Sequence, residues 1–141
     1  MKMKKGFTLV ELLIVLAVIA ALLSVATPLA LNAVKKAKAS QVAQNFRAIK
    51  SAVENWFNTE SPADPKTEFS KDTLLKKNYI NTWPDGFEVT PEASNTGVYE
   101  FTIKYTKGDI SLVDVEKSGM PEVDEGENNN LVLKFALQKW W

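Results

Sequence analysis

The chain has 141 residues, room for one ordinary domain or for a small domain plus one long element. It contains neither Cys nor His, which excludes disulfide frameworks, thiolate nucleophiles, cysteine zinc sites and Ser-His-Asp chemistry. Seventeen basic and seventeen acidic side chains cancel, but in segments: +3 over residues 1–6, −1 over 7–34, +3 over 35–60 and −5 over 61–141; a nucleic-acid-binding domain is usually basic, so direct contact with nucleic acid is not expected.

Lys2, Lys4 and Lys5 precede an apolar run, and such a positive flank stays on the cytoplasmic side of a membrane. From Phe7 to Val34, 22 of 28 residues are apolar. As a helix, Phe7 to Leu31 is long enough to cross ~30 Å of hydrocarbon. Glu11 interrupts the run. A charge near the centre of a membrane helix costs ~2.5–3.5 kcal/mol, less near its end, so Glu11 requires a positive partner. Thr27-Pro28 falls near the end of the run, where a proline removes one backbone hydrogen bond and can bend or break a helix.

Three readings of this segment compete. An ordinary secretory signal would be cut after Ser24-Val25-Ala26, giving a mature start at Thr27. A simple membrane anchor would keep the whole helix. The third follows from Gly6-Phe7-Thr8-Leu9-Val10-Glu11-Leu12-Leu13-Ile14-Val15. A short basic leader, Gly, Phe, a glutamate five residues after the Gly and a long apolar helix together resemble the class III signal of type IV pilins and type II secretion pseudopilins.

That resemblance implies cleavage between Gly6 and Phe7 by a prepilin peptidase, with N-methylation of Phe7. It implies a single-pass precursor in the cytoplasmic membrane, then extraction into an extracellular filament or a periplasmic pseudopilus. Glu11 becomes an assembly residue paired with the new amino group of a neighbour's Phe7, and Pro28 a helix break. The roles implied are adhesion, twitching motility or DNA uptake for a pilus, and protein export for a pseudopilus. Its partners are other copies through the helix over 7–58, the peptidase, the pilus or secretion assembly machinery, and membrane lipid before assembly. No enzymatic activity and no cofactor are expected.

After Pro28 the helix signal continues. Val42, Phe46, Ile49, Val53 and Trp56 fall at steps of 4, 3, 4 and 3, one apolar stripe that Phe57 widens. The spacing predicts one helix from about Thr8 to Asn58, ~75 Å long, ended by Ser61-Pro62. Lys35, Lys36 and Lys38 form a basic cluster suited to solvent, to lipid headgroups or to the acidic surface of a neighbour.

The rest reads as a small antiparallel β head. Ser70–Tyr79 suggests a short helix, and Pro84-Asp85-Gly86 a turn. Tyr99, Phe101, Ile103 and Tyr105 alternate with polar residues and mark a strand over Val98–Thr106. Ile110–Val115 reads as its return strand, Pro121–Asn130 as a solvated acidic loop without a defensible calcium spacing, and Leu131–Trp141 as a last strand. Trp140-Trp141 suits either core packing or an exposed contact. The expected organisation is therefore a cleaved leader (1–6), a transmembrane or filament-core helix (7–31), an amphipathic helix (32–60) and a head (61–141). The fold class is α+β, a pilin-like long helix packed on a small antiparallel sheet.

Overall fold

The structure, a computed structural model, describes residues 6–94 and 96–141; Lys2, Lys4 and Lys5 of the expected leader lie outside the described residues. The elements in chain order are α1 (Leu9–Glu60), α2 (Pro65–Glu68), α3 (Lys71–Lys76), β1 (Phe87–Ala93), β2 (Val98–Tyr105), α4 (Leu112–Lys117), β3 (Val123–Glu125), a single 3-10 turn (Glu127–Asn129) and β4 (Leu131–Gln138). The chain divides into two units, Met1–Lys35 and Lys36–Trp141.

Among the described residues of the first unit every one is exposed. Leu and Ala dominate here, so helix propensity is high without any packing partner. The helical assignment continues through Pro28. Its missing N–H leaves the Ser24 carbonyl without the usual partner four residues on.

In the second unit the helix has a buried face: Ala39, Val42, Ala43, Phe46, Ile49, Ala52, Val53, Trp56 and Phe57. This is the predicted stripe, widened by the buried alanines Ala39, Ala43 and Ala52. Phe46 and Phe57 are fully buried, each contributing on the order of 1.5–3 kcal/mol by leaving water. Phe57 meets Phe101 edge-on at 6.1 Å, and Phe46 meets Phe87 at 5.0 Å, the offset geometry aromatic rings prefer. The helix stops where Ser61 adopts φ 45 and Pro62 follows, a left-handed residue and a helix-breaking one in succession.

The sheet has order β1-β2-β4-β3 with every pairing antiparallel. It is two hairpins joined side by side along β2 and β4. Phe101, Ile103 and Tyr105 of β2 are buried, as their alternation predicts, and Leu131, Leu133 and Val123 extend that face through β4 and β3. The class and the packing of helix on sheet are those the sequence predicts.

Some elements differ from expectation. Ile110–Val115 does not return as a strand: Leu112–Lys117 is helix α4. Ser111 caps it, its Oγ accepting from the Asp114 amide and donating to the Asp114 carboxylate, which stabilises a helix start rather than an extended chain. Both edges of β2 are also already taken, by β1 and β4. The true neighbour β1 was hidden by Pro91, which sits in an outer strand, where proline is tolerated. Strand β3 lies inside the presumed acidic loop, anchored by buried Val123. α2 is a further short helix, capped by Asp64 with Pro65 at its first position. The carboxyl terminus divides its aromatics: Trp141 packs edge-on against Phe57 at 4.9 Å, whereas Trp140 is 69% exposed and donates its indole N–H to Asn58.

Candidate functional site

The residues that carry the chemistry implied by the sequence lie at the start of α1. Gly6 and Phe7 precede the helix and belong to no regular element. Phe7 is 83% exposed. A Cβ placed at Gly6 would meet nothing within 4 Å among the described residues beyond its chain neighbours. Any requirement for glycine at that position is thus external to this fold.

Thr8 is the residue before the first helical one, and it forms a reciprocal cap with Glu11. The Glu11 amide donates to Thr8 Oγ1 at 3.2 Å, and the Thr8 amide donates to Glu11 Oε2 at 2.8 Å. The Leu12 amide then donates to the Thr8 carbonyl at 3.2 Å, the first bond of the helix ladder. This is a capping box, in which two otherwise unpaired amides are satisfied by two side chains. The helix dipole also favours a carboxylate here, in the first turn. Glu11 is therefore not a stray charge in an apolar run. Its carboxylate is held by the amide immediately after Phe7, next to the nitrogen that cleavage before Phe7 would turn into an amine.

The capping box is the part of the site that hydrophobic patterning missed. Its signal, Thr8-x-x-Glu11 ahead of an apolar run, is readable in the sequence.

The helix behind this cap is long and apolar enough to cross a membrane, and none of its most apolar window is buried by the rest of the chain. Leu9, Leu22, Val25 and Leu29 are each exposed by 66% or more. So large a continuous apolar surface does not stay in water; it marks a lipid or protein contact. Near its end, Ser24 Oγ donates back to the Ala21 carbonyl at 2.7 Å, one turn before Pro28.

The head offers no comparable chemistry. An open groove of about 480 Å³ is lined by residues including Lys38, Tyr105, Lys107 and Asp109. Two of its polar pairs are internal to it: Tyr105 donates to Asp109 at 2.7 Å, and Lys107 pairs with Asp85 at 2.6 Å. Burial, then the bond to Asp109, pushes the Tyr105 phenol far above its usual range. The bond to Asp85 raises the Lys107 ammonium, and the reciprocal bond lowers the Asp85 carboxyl. All three shifts reinforce the protonation state already present near neutrality, the opposite of a group poised to exchange a proton. Among the described residues no three acidic side chains converge as metal ligands.

Comparison with known families finds a match at the amino terminus. The family model described as the prokaryotic N-terminal methylation motif covers residues 1–27, the class III signal of type IV pilins and pseudopilins. The chain carries that signal on an α+β fold with a long apolar helix and a four-stranded antiparallel sheet. No curated protein and no solved structure matches the chain.

Proposed function

We propose that the protein is a structural subunit of a type IV pilus-like filament, and not an enzyme. The prepilin peptidase cuts between Gly6 and Phe7 and the new Phe7 amine is methylated. The observation that carries the reading is the match over residues 1–27. It is supported by the local geometry, since Gly6 and Phe7 stand outside the helix and are exposed, as a peptidase requires of its substrate.

Before assembly the exposed apolar half of α1 holds the subunit in the cytoplasmic membrane as a single pass. After extraction the same surface packs against other copies, and the assembly machinery supplies the work. Glu11 then exchanges its intrachain amide partner for the Phe7 amine of a neighbour. A carboxylate without a partner is costly in so apolar a core, so the pairing sets the register at which each subunit joins. Pro28 supplies the point at which the helix bends or opens in the filament. The filament serves adhesion, twitching motility or DNA uptake. A second reading, a pseudopilin of a type II secretion system, is favoured by one observation: the head contains no cysteine, whereas a disulfide near the carboxyl terminus is common in pilins.

The test is mass spectrometry of filaments sheared from the native cells. A peptide beginning at methylated Phe7 in that fraction is the expected result. The same peptide confined to membranes moves the assignment to the pseudopilin. A start at Thr27 in the medium overturns the reading.

A further inference from the structure

The apolar half of α1 accounts for one surface of the protein; two charged surfaces remain. Lys35 and Lys36 follow directly on Val34, the last residue of the apolar run. Both are exposed, and among the described residues neither lies within ion-pair distance of a carboxylate. Lys38, two positions on, reaches only to 4.0 Å from Asp109. On the other surface, Glu116, Glu122, Asp124, Glu125 and Glu127 stand against Lys117 alone between residues 116 and 130. All five carboxylates are exposed, and none joins an ion pair among the described residues. They are held in place by structure: Val123 is buried, and β3 pairs with β4 as the outer strand of the sheet.

We propose that these two surfaces dock on each other between copies, with Lys35 and Lys36 of one subunit seated against the acidic strip of β3 and the turn after it in a second copy. The inference rests on the filament reading above and adds the contact that sets subunit order. Three arguments support it. The charges are complementary and, among the described residues, join no ion pair within the chain. The lysines are also continuous with the apolar surface that the filament reading buries, so any bundle of these helices carries its lysines in among other subunits, where like charges repel unless neutralised. Finally, the surfaces are different patches of one chain. Pairing unlike patches is heterologous, and a heterologous contact that does not close into a ring propagates as an open helix. Exposed ion pairs contribute little affinity; this contact acts on register and partner choice.

The experiment uses full-length protein in its native cells. Lys35→Glu with Lys36→Glu is one variant, Asp124→Lys with Glu125→Lys a second, and all four substitutions together a third. Each reversal alone is expected to lower the yield of sheared filaments on the order of tenfold, with Phe7-started subunits still accumulating in the membrane. The four-fold exchange is expected to recover most of that yield. In parallel, zero-length carbodiimide coupling of wild-type filaments is expected to join the peptide containing Lys35 and Lys36 to the one containing Glu122 to Glu127 in cross-linked dimers, which guards against a head variant that merely misfolds. Normal yield from either reversal, no recovery on exchange together with no such cross-link, or loss of the lysine variant from membranes overturns the proposal; the last outcome assigns the lysines to lipid headgroups. Wild-type filaments that lack the Phe7-started subunit overturn the filament reading instead.

Discussion

Glu11 has two partners in this account, a backbone amide inside its own subunit and an amine on another, and Glu11→Gln separates them. A glutamine can still accept the Thr8 N–H through its side-chain carbonyl, so the capping box now seen at 2.8 and 3.2 Å is kept. Glu11→Val removes the bond from the Thr8 amide and keeps the one from the residue-11 amide to Thr8 Oγ1, at a cost of up to about 1 kcal/mol to the helix start, a factor of about five at most. Membrane insertion is unharmed in either variant, because removing the carboxylate removes up to ~2.5–3.5 kcal/mol of transfer cost. Assembly is where both fail. A hydrogen bond to a charged group is worth ~1.5–3 kcal/mol, so each subunit addition weakens by roughly ten- to a hundred-fold. The assay is the ratio of sheared filament to membrane-retained subunit, with the amino-terminal peptide confirming processing. If Glu11→Gln assembles as well as the parent while Glu11→Val does not, the carboxylate is a helix cap and the pairing argument is refuted.

Other expectations are more local. Gly6→Leu is expected to leave the fold unchanged, since a Cβ there meets nothing within 4 Å among the described residues beyond its chain neighbours, yet to block cleavage; full-length precursor on a blot is the readout, and mature protein from this variant would contradict the assigned cut. Ser61→Gly is expected to stabilise the second unit by about 0.5–1 kcal/mol, because Ser61 at φ 45 occupies a region that glycine enters without strain; the melting temperature of detergent-solubilised protein measures it. The bonds from Lys77 and Tyr79 hold the Glu60 carboxyl below its ordinary value of 4.5. A depressed carboxylate stabilises the fold above that value and loses its contribution as pH falls through the lower, folded one. The acid limb of the stability profile is therefore expected to flatten in Lys77→Met, and an unchanged limb would remove Glu60 from the explanation.

What the sequence made legible were the segments in which one period dominates. The stripe from Val42 to Phe57 fell at helical spacing and is the buried face of α1. The alternation from Tyr99 to Tyr105 is β2. The signal at Gly6 to Glu11 was legible because its residue types are unusual together, not because of any pattern of burial. The misses share a cause: local capping or an edge position outweighed the apolar pattern. Ser111 with Asp114 turned an apparent strand into α4. Val123 supplies just one buried residue to β3, too few to show a period. The alternation of Phe87 and Val89 in β1 was masked by Pro91 and the acidic residues beside them.

Pro91 bears on how subunits of the proposed filament would join. In the β1–β2 ladder the Thr106 amide donates to the Gly86 carbonyl and the Ser94 amide to the Val98 carbonyl. Even-numbered residues of β1 therefore face β2, and the odd-numbered ones, Phe87, Val89, Pro91 and Ala93, turn their backbone groups to the open edge. Pro91 has no N–H to offer there, and the Phe87 carbonyl is taken by the Trp83 indole at 3.1 Å. A strand added along this edge would find a complete donor and acceptor pair within the middle of the edge only at Val89. The opposite edge is β3, three residues long and carrying two exposed carboxylates. Both ends of the sheet are thus protected against strand addition in the ways natural edge strands are. Polymerisation through the head by sheet extension is disfavoured on both sides, while the apolar half of α1 stands wholly uncovered. Backbone pairing along the sheet is thus closed to a second copy, which leaves the apolar half of α1 and the charged side chains as the surfaces through which the proposed filament would be built.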